Sequence, residues 1–179
     1  MLQSIAYAYQ HHCSTPSDIW EHLPVLNKLA NSCDHVTEFG VRWGASTTAF
    51  LASRARLVSY DIVFYPEARA LFEQASREGR DARFINASTL DINDIDPTDM
   101  LFIDTLHTRD QLRHELRTFA HRVGRYIAMH DTTLFGDRGE DGGPGLWEAI
   151  ELFLQGNGDW KLMERYTNNN GLTVLERNR

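Results

Sequence analysis

The chain has 179 residues, a length typical of one domain that folds around its own core. A formal net charge of −7, with lysines and arginines scattered along the chain, argues against nucleic acid and against an anionic membrane surface as partners. No apolar stretch approaches the roughly 18 residues that span a bilayer, and the two cysteines fit a reducing compartment, so we expect a cytoplasmic protein.

The predicted elements alternate between helix and strand. The first 32 residues form a predicted helical segment, in which apolar residues recur at every third or fourth position and Pro24 introduces a break or kink. Strands are predicted at 35–41, 56–63, 82–88, 99–107 and 125–133, helices at 45–55, 65–79, 108–124 and 146–156, and two last strands at 160–167 and 171–177.

This alternation indicates a parallel sheet. The middle strands are almost continuously apolar, which is typical of strands covered by helices on both faces. The last two strands are joined by "NNNG", which is too short for a crossover helix, so they must form an antiparallel hairpin. We therefore predict one domain, residues 1–179, with a Rossmann-like, doubly wound α/β fold.

Polar residues stand where the predicted strands end. Ligands of such sheets bind beyond the carboxyl ends of the strands, where the strand order reverses. A single Asp at such a position is more often a helix cap, but five polar strand ends together favour a ligand site. The residues concerned are Glu38, Gly40, Asp61, Asn86, Ser88, Asp104, His107, His130 and Asp131.

The first of these turns, "TEFGVRWGAST", matches neither the dinucleotide fingerprint nor a P-loop. Glu38 would repel a diphosphate and suits a cationic group. Gly40 and Gly44 permit close backbone approach or an unusual φ, and Ser46 and Thr47 open a helix whose free N–H groups suit a carboxylate. A ligand with an ammonium group, a carboxylate and a ribose fits this turn, and we predict S-adenosylmethionine.

Two later strand ends support this prediction. Asp61 ends the second strand about 20 residues after the glycine turn, where an acidic side chain accepts hydrogen bonds from ribose hydroxyls. Asn86 and Ser88 end the third strand, and we expect them to border the adenine.

At "TEFGVRWGAST", "SYDI", "LFIDTLH" and "IAMHDTT" the chain resembles class I S-adenosylmethionine-dependent methyltransferases. Within this class it resembles the branch of macrocin-type sugar O-methyltransferases and cephalosporin-hydroxylase-like proteins. The resemblance runs from about residue 16 to the C-terminus. It implies a seven-stranded sheet in the order 3-2-1-4-5-7-6, with strand 7 antiparallel.

The resemblance also implies that Asp104 and Asp131 bind a divalent metal and that His107 is the general base. His130 stands where relatives commonly have an acidic residue. An imidazole at this position weakens a site for Mg²⁺ and favours Mn²⁺, Fe²⁺ or Zn²⁺. His130 is therefore either a third metal ligand or a second acid/base group, and the need for Mg or Mn stays open.

We expect an O-methyltransferase that acts on a small polyhydroxylated acceptor, such as a sugar or a natural product. One alternative is an NAD-dependent oxidoreductase, against which Glu38 and the missing third glycine argue. Another is a non-catalytic domain that binds S-adenosylmethionine. The glycine-rich loop 135–145 is either a lid over the acceptor or a flexible connection. Whether the segment 1–15 packs on a second copy of the chain stays open, and with it the formation of a homo-oligomer.

Overall fold

The computed structural model describes residues 4–178. The strands are β1 His35–Phe39, β2 Arg56–Asp61, β3 Ala82–Asn86, β4 Thr98–Ile103, β5 Val123–His130, β6 Trp160–Tyr166 and β7 Leu172–Arg177. The helices are α1 Ile5–Ser14, α2 Leu23–Ala30, α3 Ala45–Leu51, α4 Pro66–Arg77, α5 Arg109–Phe119 and α6 Leu146–Gly156. Short 3-10 helices cover Trp20–His22 and Ala120–Arg122.

The strands form one sheet in the order β3-β2-β1-β4-β5-β7-β6. The strands β1 to β5 pair in parallel, and β7 runs antiparallel to both of its neighbours. The predicted fold is confirmed, including the terminal hairpin. The chain builds outward from β1 to β3 and then returns to place β4 on the other side of β1. The strand order thus reverses between β1 and β4, which is where a ligand crevice is expected.

Each face of the sheet carries its own apolar core. On one face, α1 to α4 pack on the sheet, and the rings of Phe50 and Phe102 lie 5.4 Å apart. On the other face, α5 and α6 pack on the sheet, and the rings of Phe39 and Phe119 lie 5.0 Å apart. Because both faces are covered, the central strands are apolar on both sides, as their sequences indicate.

The N-terminal segment packs on the first of these cores. Ile5 is fully buried, and its N–H donates to Glu78 Oε1 at 2.8 Å, whereas Tyr7 is half exposed. The expected break near Pro24 is a 3-10 turn just before it, and Pro24 itself lies in the first turn of α2, where its missing N–H costs little. Among residues 4–178, none of the helices is long and apolar enough to cross a membrane.

Candidate functional site

The turn after β1 needs glycine at two positions because of the packing of the chain itself. Gly40 has φ +84° and Gly44 has φ +91°, a region that side chains disfavour. A Cβ at Gly40 would overlap the backbone carbonyl of Asp104, and one at Gly44 would overlap the side chain of Leu71. Gly40 also lines a crevice, whereas Gly44 packs against Leu71 of α4.

The carboxylate of Glu38 lies beneath this turn. It has no exposed surface, and it accepts hydrogen bonds from Ser46 Oγ (2.6 Å), Thr47 Oγ1 (2.9 Å) and Ser59 Oγ (2.6 Å). The predicted contact between Glu38 and a cationic ligand group stays a prediction. The side chains of Glu38, Ser46 and Thr47 hold β1, α3 and β2 together, because these buried hydroxyls are all directed at the carboxylate.

Burial raises the pKa of Glu38 to about 7, although the three hydroxyl donors act in the opposite direction. The charged form is therefore costly at this position. Glu38 is a buried residue that holds the turn through its three hydroxyl partners.

A crevice of about 670 Å³ opens above the turn, at the carboxyl ends of β1 to β4. Its volume lies within the range of small-molecule sites. Four of the predicted site residues line it, namely Gly40, Asp61, Ser88 and Asp104. The crevice therefore lies at the reversal of strand order that the fold predicts.

Asp61 joins the end of β2 to the turn after β1. Its Oδ2 accepts the backbone N–H groups of Val41 (2.7 Å) and Arg42 (2.8 Å), and its Oδ1 accepts that of Val63 (3.0 Å). A carboxylate has about four acceptor positions, two on each oxygen, so Oδ1 can still accept one ligand hydroxyl. Asp61 thus fixes the wall of the crevice and also presents an acceptor to it.

The two predicted residues of the third strand end differ in position. Ser88 lines the crevice, and its Oγ accepts the N–H of Leu90 at 3.2 Å. Asn86 is exposed beside it, and its Nδ2 donates to the backbone carbonyl of Asp61 at 2.9 Å. Asn86 therefore supports the backbone of Asp61 and is not among the residues that line the crevice, and its predicted place beside the adenine stays a prediction.

Apolar walls of the crevice were missed by the sequence reasoning. Ile62 is 70% exposed, Leu90 54% and Leu106 56%, and all three line the crevice. Such exposure is informative where several apolar side chains meet in one concave site. The sequence does contain a signal for these apolar residues, because each of them closely follows a polar residue at a strand end: Asp61, Ser88 or Asp104.

A buried carboxylate on α5 was also missed. Glu115 has no exposed surface, and its Oε1 accepts from Thr89 Oγ1 (2.7 Å), Gln111 Nε2 (2.8 Å) and Thr105 Oγ1 (2.9 Å). Burial raises its pKa to about 6, against the effect of these donors. Thr89, Thr105 and Gln111 all line the crevice, so Glu115 ties its floor to α5.

Next to the crevice, a histidine lies between two carboxylates. Nε2 of His107 is 3.2 Å from Asp104 Oδ1 and 2.9 Å from Asp131 Oδ2. One potential ligand atom from each of these three residues lies within 4.8 Å of the others, a spacing that could hold a metal ion. Nδ1 of His130 is farther away, 3.6 Å from Asp104 Oδ1 and 3.5 Å from Asp131 Oδ2. The structure thus groups His107, rather than His130, with the carboxylates.

The two carboxylates control the pKa of His107. Burial lowers its pKa, but the carboxylates of Asp104 and Asp131 outweigh burial and raise it to about 10. The same contacts lower the pKa of Asp131 against the effect of its burial. With this pKa the ring cannot accept a proton at neutral pH while it lies between the two acids.

The donor set fits a divalent metal. Two carboxylates with an imidazole suit Mn²⁺, Fe²⁺ or Zn²⁺ better than Mg²⁺. Asp131 Oδ1 and both ring nitrogens of His130 are buried and have no hydrogen-bond partner within the described part of the chain. Such atoms are uncommon in native structures, and they lie beside the group that would hold the ion.

No protein-family model matches the sequence, and the search of curated proteins finds no match. Solved structures do match. The O-methyltransferase TomG from Streptomyces achromogenes, in complex with S-adenosylmethionine, is 18% identical, with 100% of this chain and 91% of that chain covered and a TM-score of 0.66. The chain has the Rossmann-like methyltransferase fold.

Two further structures share this methyltransferase fold. The N-methyltransferase NodS from Bradyrhizobium japonicum WM9, with S-adenosyl-L-homocysteine, is 15% identical, covers 96% of this chain and 98% of its own, and has a TM-score of 0.66. An O-methyltransferase from Bacillus cereus, in complex with S-adenosylhomocysteine, is 15% identical, covers 99% and 91%, and has a TM-score of 0.67. At these identities the likeness shows the methyltransferase fold.

Proposed function

We propose that the protein is an S-adenosylmethionine-dependent methyltransferase that methylates a hydroxyl of a small polyhydroxylated acceptor, such as a sugar or a natural product. One observation carries the proposal. In a chain with the methyltransferase fold, Asp104 lines the crevice and also contacts His107 in the acidic cluster. The cofactor crevice and the candidate metal cluster therefore adjoin through one residue.

The crevice supports the cofactor. Asp61 offers the remaining acceptor position of Oδ1 to a ribose hydroxyl, Gly40 permits close approach at the reversal of strand order, and Ser88 borders the base. The turn and the end of β2 are fixed by residues outside the crevice lining, namely Glu38, Gly44, Ser46, Thr47 and Asn86. Bound S-adenosylmethionine supplies a methyl group on a sulfonium. When the methyl group is transferred, the neutral thioether S-adenosylhomocysteine leaves readily. The task of the protein is then to place the acceptor oxygen and to accept its proton.

Asp104, His107 and Asp131 would hold a divalent cation, which lowers the pKa of a hydroxyl that it contacts. The geometry favours His107 as a ligand, because Nε2 already lies between the carboxylates. His107 as the general base, with His130 completing the ligands, is the second assignment. It requires Nε2 to leave the two carboxylates, after which the ring can accept a proton from the acceptor.

The proposal of a polyhydroxylated acceptor is supported by the acidic side chains at the end of the crevice nearest to His107. Asp104 and Glu140 both line it, and ionised carboxylates only accept hydrogen bonds. Several hydroxyl groups on one small molecule satisfy such acceptors. This supports a polyhydroxylated acceptor over one without hydroxyl donors.

Calorimetric titration separates the proposed function from its alternatives. We expect saturable binding of S-adenosylmethionine and S-adenosylhomocysteine but not of NAD, each measured with and without Mn²⁺. Methyl transfer to a panel of sugars and hydroxylated natural products then separates an enzyme from a non-catalytic domain. Saturable NAD binding with no response to S-adenosylmethionine or its demethylated product would contradict the proposal.

A further inference from the structure

The glycine-rich loop after β5 is folded against His107. The N–H of Glu140 donates to the carbonyl of His107 at 3.1 Å, and the N–H of Gly139 donates to the carbonyl of Gly143 at 3.0 Å. Arg138 and Pro144 form a β-bridge across the base of the loop. The loop is therefore a hydrogen-bonded turn held on His107.

The side chain of Glu140 contacts His107 twice. Its Oε1 accepts the backbone N–H of His107 at 2.6 Å and lies 3.4 Å from the ring Nδ1. Nε2, on the far side of the ring, faces Asp104 and Asp131. The ring of Phe135 lies parallel to the imidazole, with centroids 4.8 Å apart and an interplanar angle of 4°. Both edges and one face of the imidazole are thus in contact with the protein.

We infer that Glu140 is a positioning residue for His107. This inference rests on the proposed function, which gives His107, Asp104 and Asp131 their role. A carboxylate on one ring nitrogen fixes the orientation of the imidazole and directs the other nitrogen to a metal or a reacting group. Here Glu140 Oε1 accepts the backbone N–H of His107 and lies 3.4 Å from Nδ1, the ring edge opposite the one that faces Asp104 and Asp131.

Other acidic residues of the loop do not make this contact. Asp141 Oδ1 accepts the N–H of Gly143 at 2.8 Å, within the loop itself. Asp137 is exposed, and its backbone carbonyl accepts the N–H of Gly145 at 3.1 Å. Asp137 therefore provides a matched control, since removing its side chain takes one negative charge from the same loop.

Glu140 also connects His107 to the crevice. The side chain is 36% exposed and is part of the crevice lining. A molecule in the crevice therefore meets the same carboxylate that holds the imidazole. Occupancy of the crevice and orientation of His107 are coupled through this residue.

Nuclear magnetic resonance of the full-length protein, labelled with ¹⁵N-histidine, tests the inference without turnover or metal. The chain has 8 histidines, and loss of signals in His107→Asn assigns the His107 ring. We expect the ring nitrogen signals of His107 to move in Glu140→Ala and to stay in place in Asp137→Ala. Glu140→Gln keeps an acceptor oxygen at the same position, so its signals should lie nearer to the wild-type ones.

The outcomes decide the role of Glu140. Unchanged His107 signals in Glu140→Ala overturn the inference, and so do equal shifts in Asp137→Ala, which would show a general effect of the loop charge. Should Glu140→Ala unfold, Glu140→Asp takes its place, because the shorter side chain keeps the charge but withdraws the carboxylate from Nδ1; unchanged His107 signals in Glu140→Asp overturn the inference. In a parallel Mn²⁺ titration, Glu140→Ala should bind about 10- to 100-fold more weakly. If the wild type binds no Mn²⁺, metal assistance in the proposed function fails, while the ring signals still decide the role of Glu140.

Discussion

Nε2 of His107 lies 2.9 Å from Oδ2 of Asp131. The imidazole comes from the loop after β4 and the carboxylate from the end of β5, so neighbouring strands deliver the two groups to one point. Both side chains are largely removed from water, which strengthens their attraction and makes the loss of either partner costly.

The first prediction follows from this contact. His107→Asn removes the cation that separates Asp104 from Asp131, so two carboxylates face each other. We expect the metal-free protein to lose about 3 kcal/mol of unfolding free energy at neutral pH. Urea denaturation in the presence of a chelator measures the loss. His11→Asn, at an exposed position of α1, serves as the control and should change little. Equal stability of the His107 variant and the wild type would show that the contact contributes nothing.

The fold class could be predicted because its signals are local, whereas the strand order was implied by the family resemblance. Strand and helix periods, the polar strand ends and the short "NNNG" turn each act over a few residues, and together they admit few topologies. Helix ends were less accurate. The helix predicted at 45–55 ends at Leu51, because a helix end depends on capping and packing as well as on pattern.

The direction of side chains at the site could not be read from the sequence. All residues of β1 are buried, so no polar alternation shows that Glu38 faces α3 and Ser59. Glu115 stands on a helix rich in charged residues, and contacts distant in sequence are what mark it as buried. The placement of His107 ahead of His130 in the acidic cluster depends on loop conformations that spacing alone does not define.

The second prediction concerns Asp61. Asp61→Asn keeps the size of the side chain but replaces a charged acceptor of three backbone N–H groups. Hydrogen bonds to charged groups contribute about 1.5–3 kcal/mol, so we expect S-adenosylhomocysteine to bind about 10- to 100-fold more weakly. Titration calorimetry measures the affinity, with Asp91→Asn, at an exposed position, as the control. An unchanged affinity would remove Asp61 from the cofactor site.

The third prediction concerns Gly40. Gly40→Ala combines a strained φ of +84° with overlap between the new Cβ and the backbone carbonyl of Asp104. We expect a loss of at least about 2 kcal/mol in unfolding free energy. Gly156→Ala is the matched control, because no atom lies within 4 Å of its added Cβ at the end of α6. This control should be neutral or slightly stabilising. Similar losses in both variants would show that the close approach of β1 and β4 is not responsible.

The last prediction is a pH dependence that belongs to Glu38. Burial raises its pKa from 4.5 to about 7 in the folded protein, so folding favours the protonated form. The stability that this group contributes is therefore fully present below pH 4.5 and is lost as the pH rises through 7, a change of about 3 kcal/mol. Glu38→Gln cannot ionise, whereas every other titrating group is common to both proteins. The unfolding free energy of the wild type minus that of the variant should therefore fall across this interval in urea denaturation. A constant difference would mean that Glu38 ionises in the folded protein as readily as in the unfolded chain, in conflict with its burial among the hydroxyls of Ser46, Thr47 and Ser59.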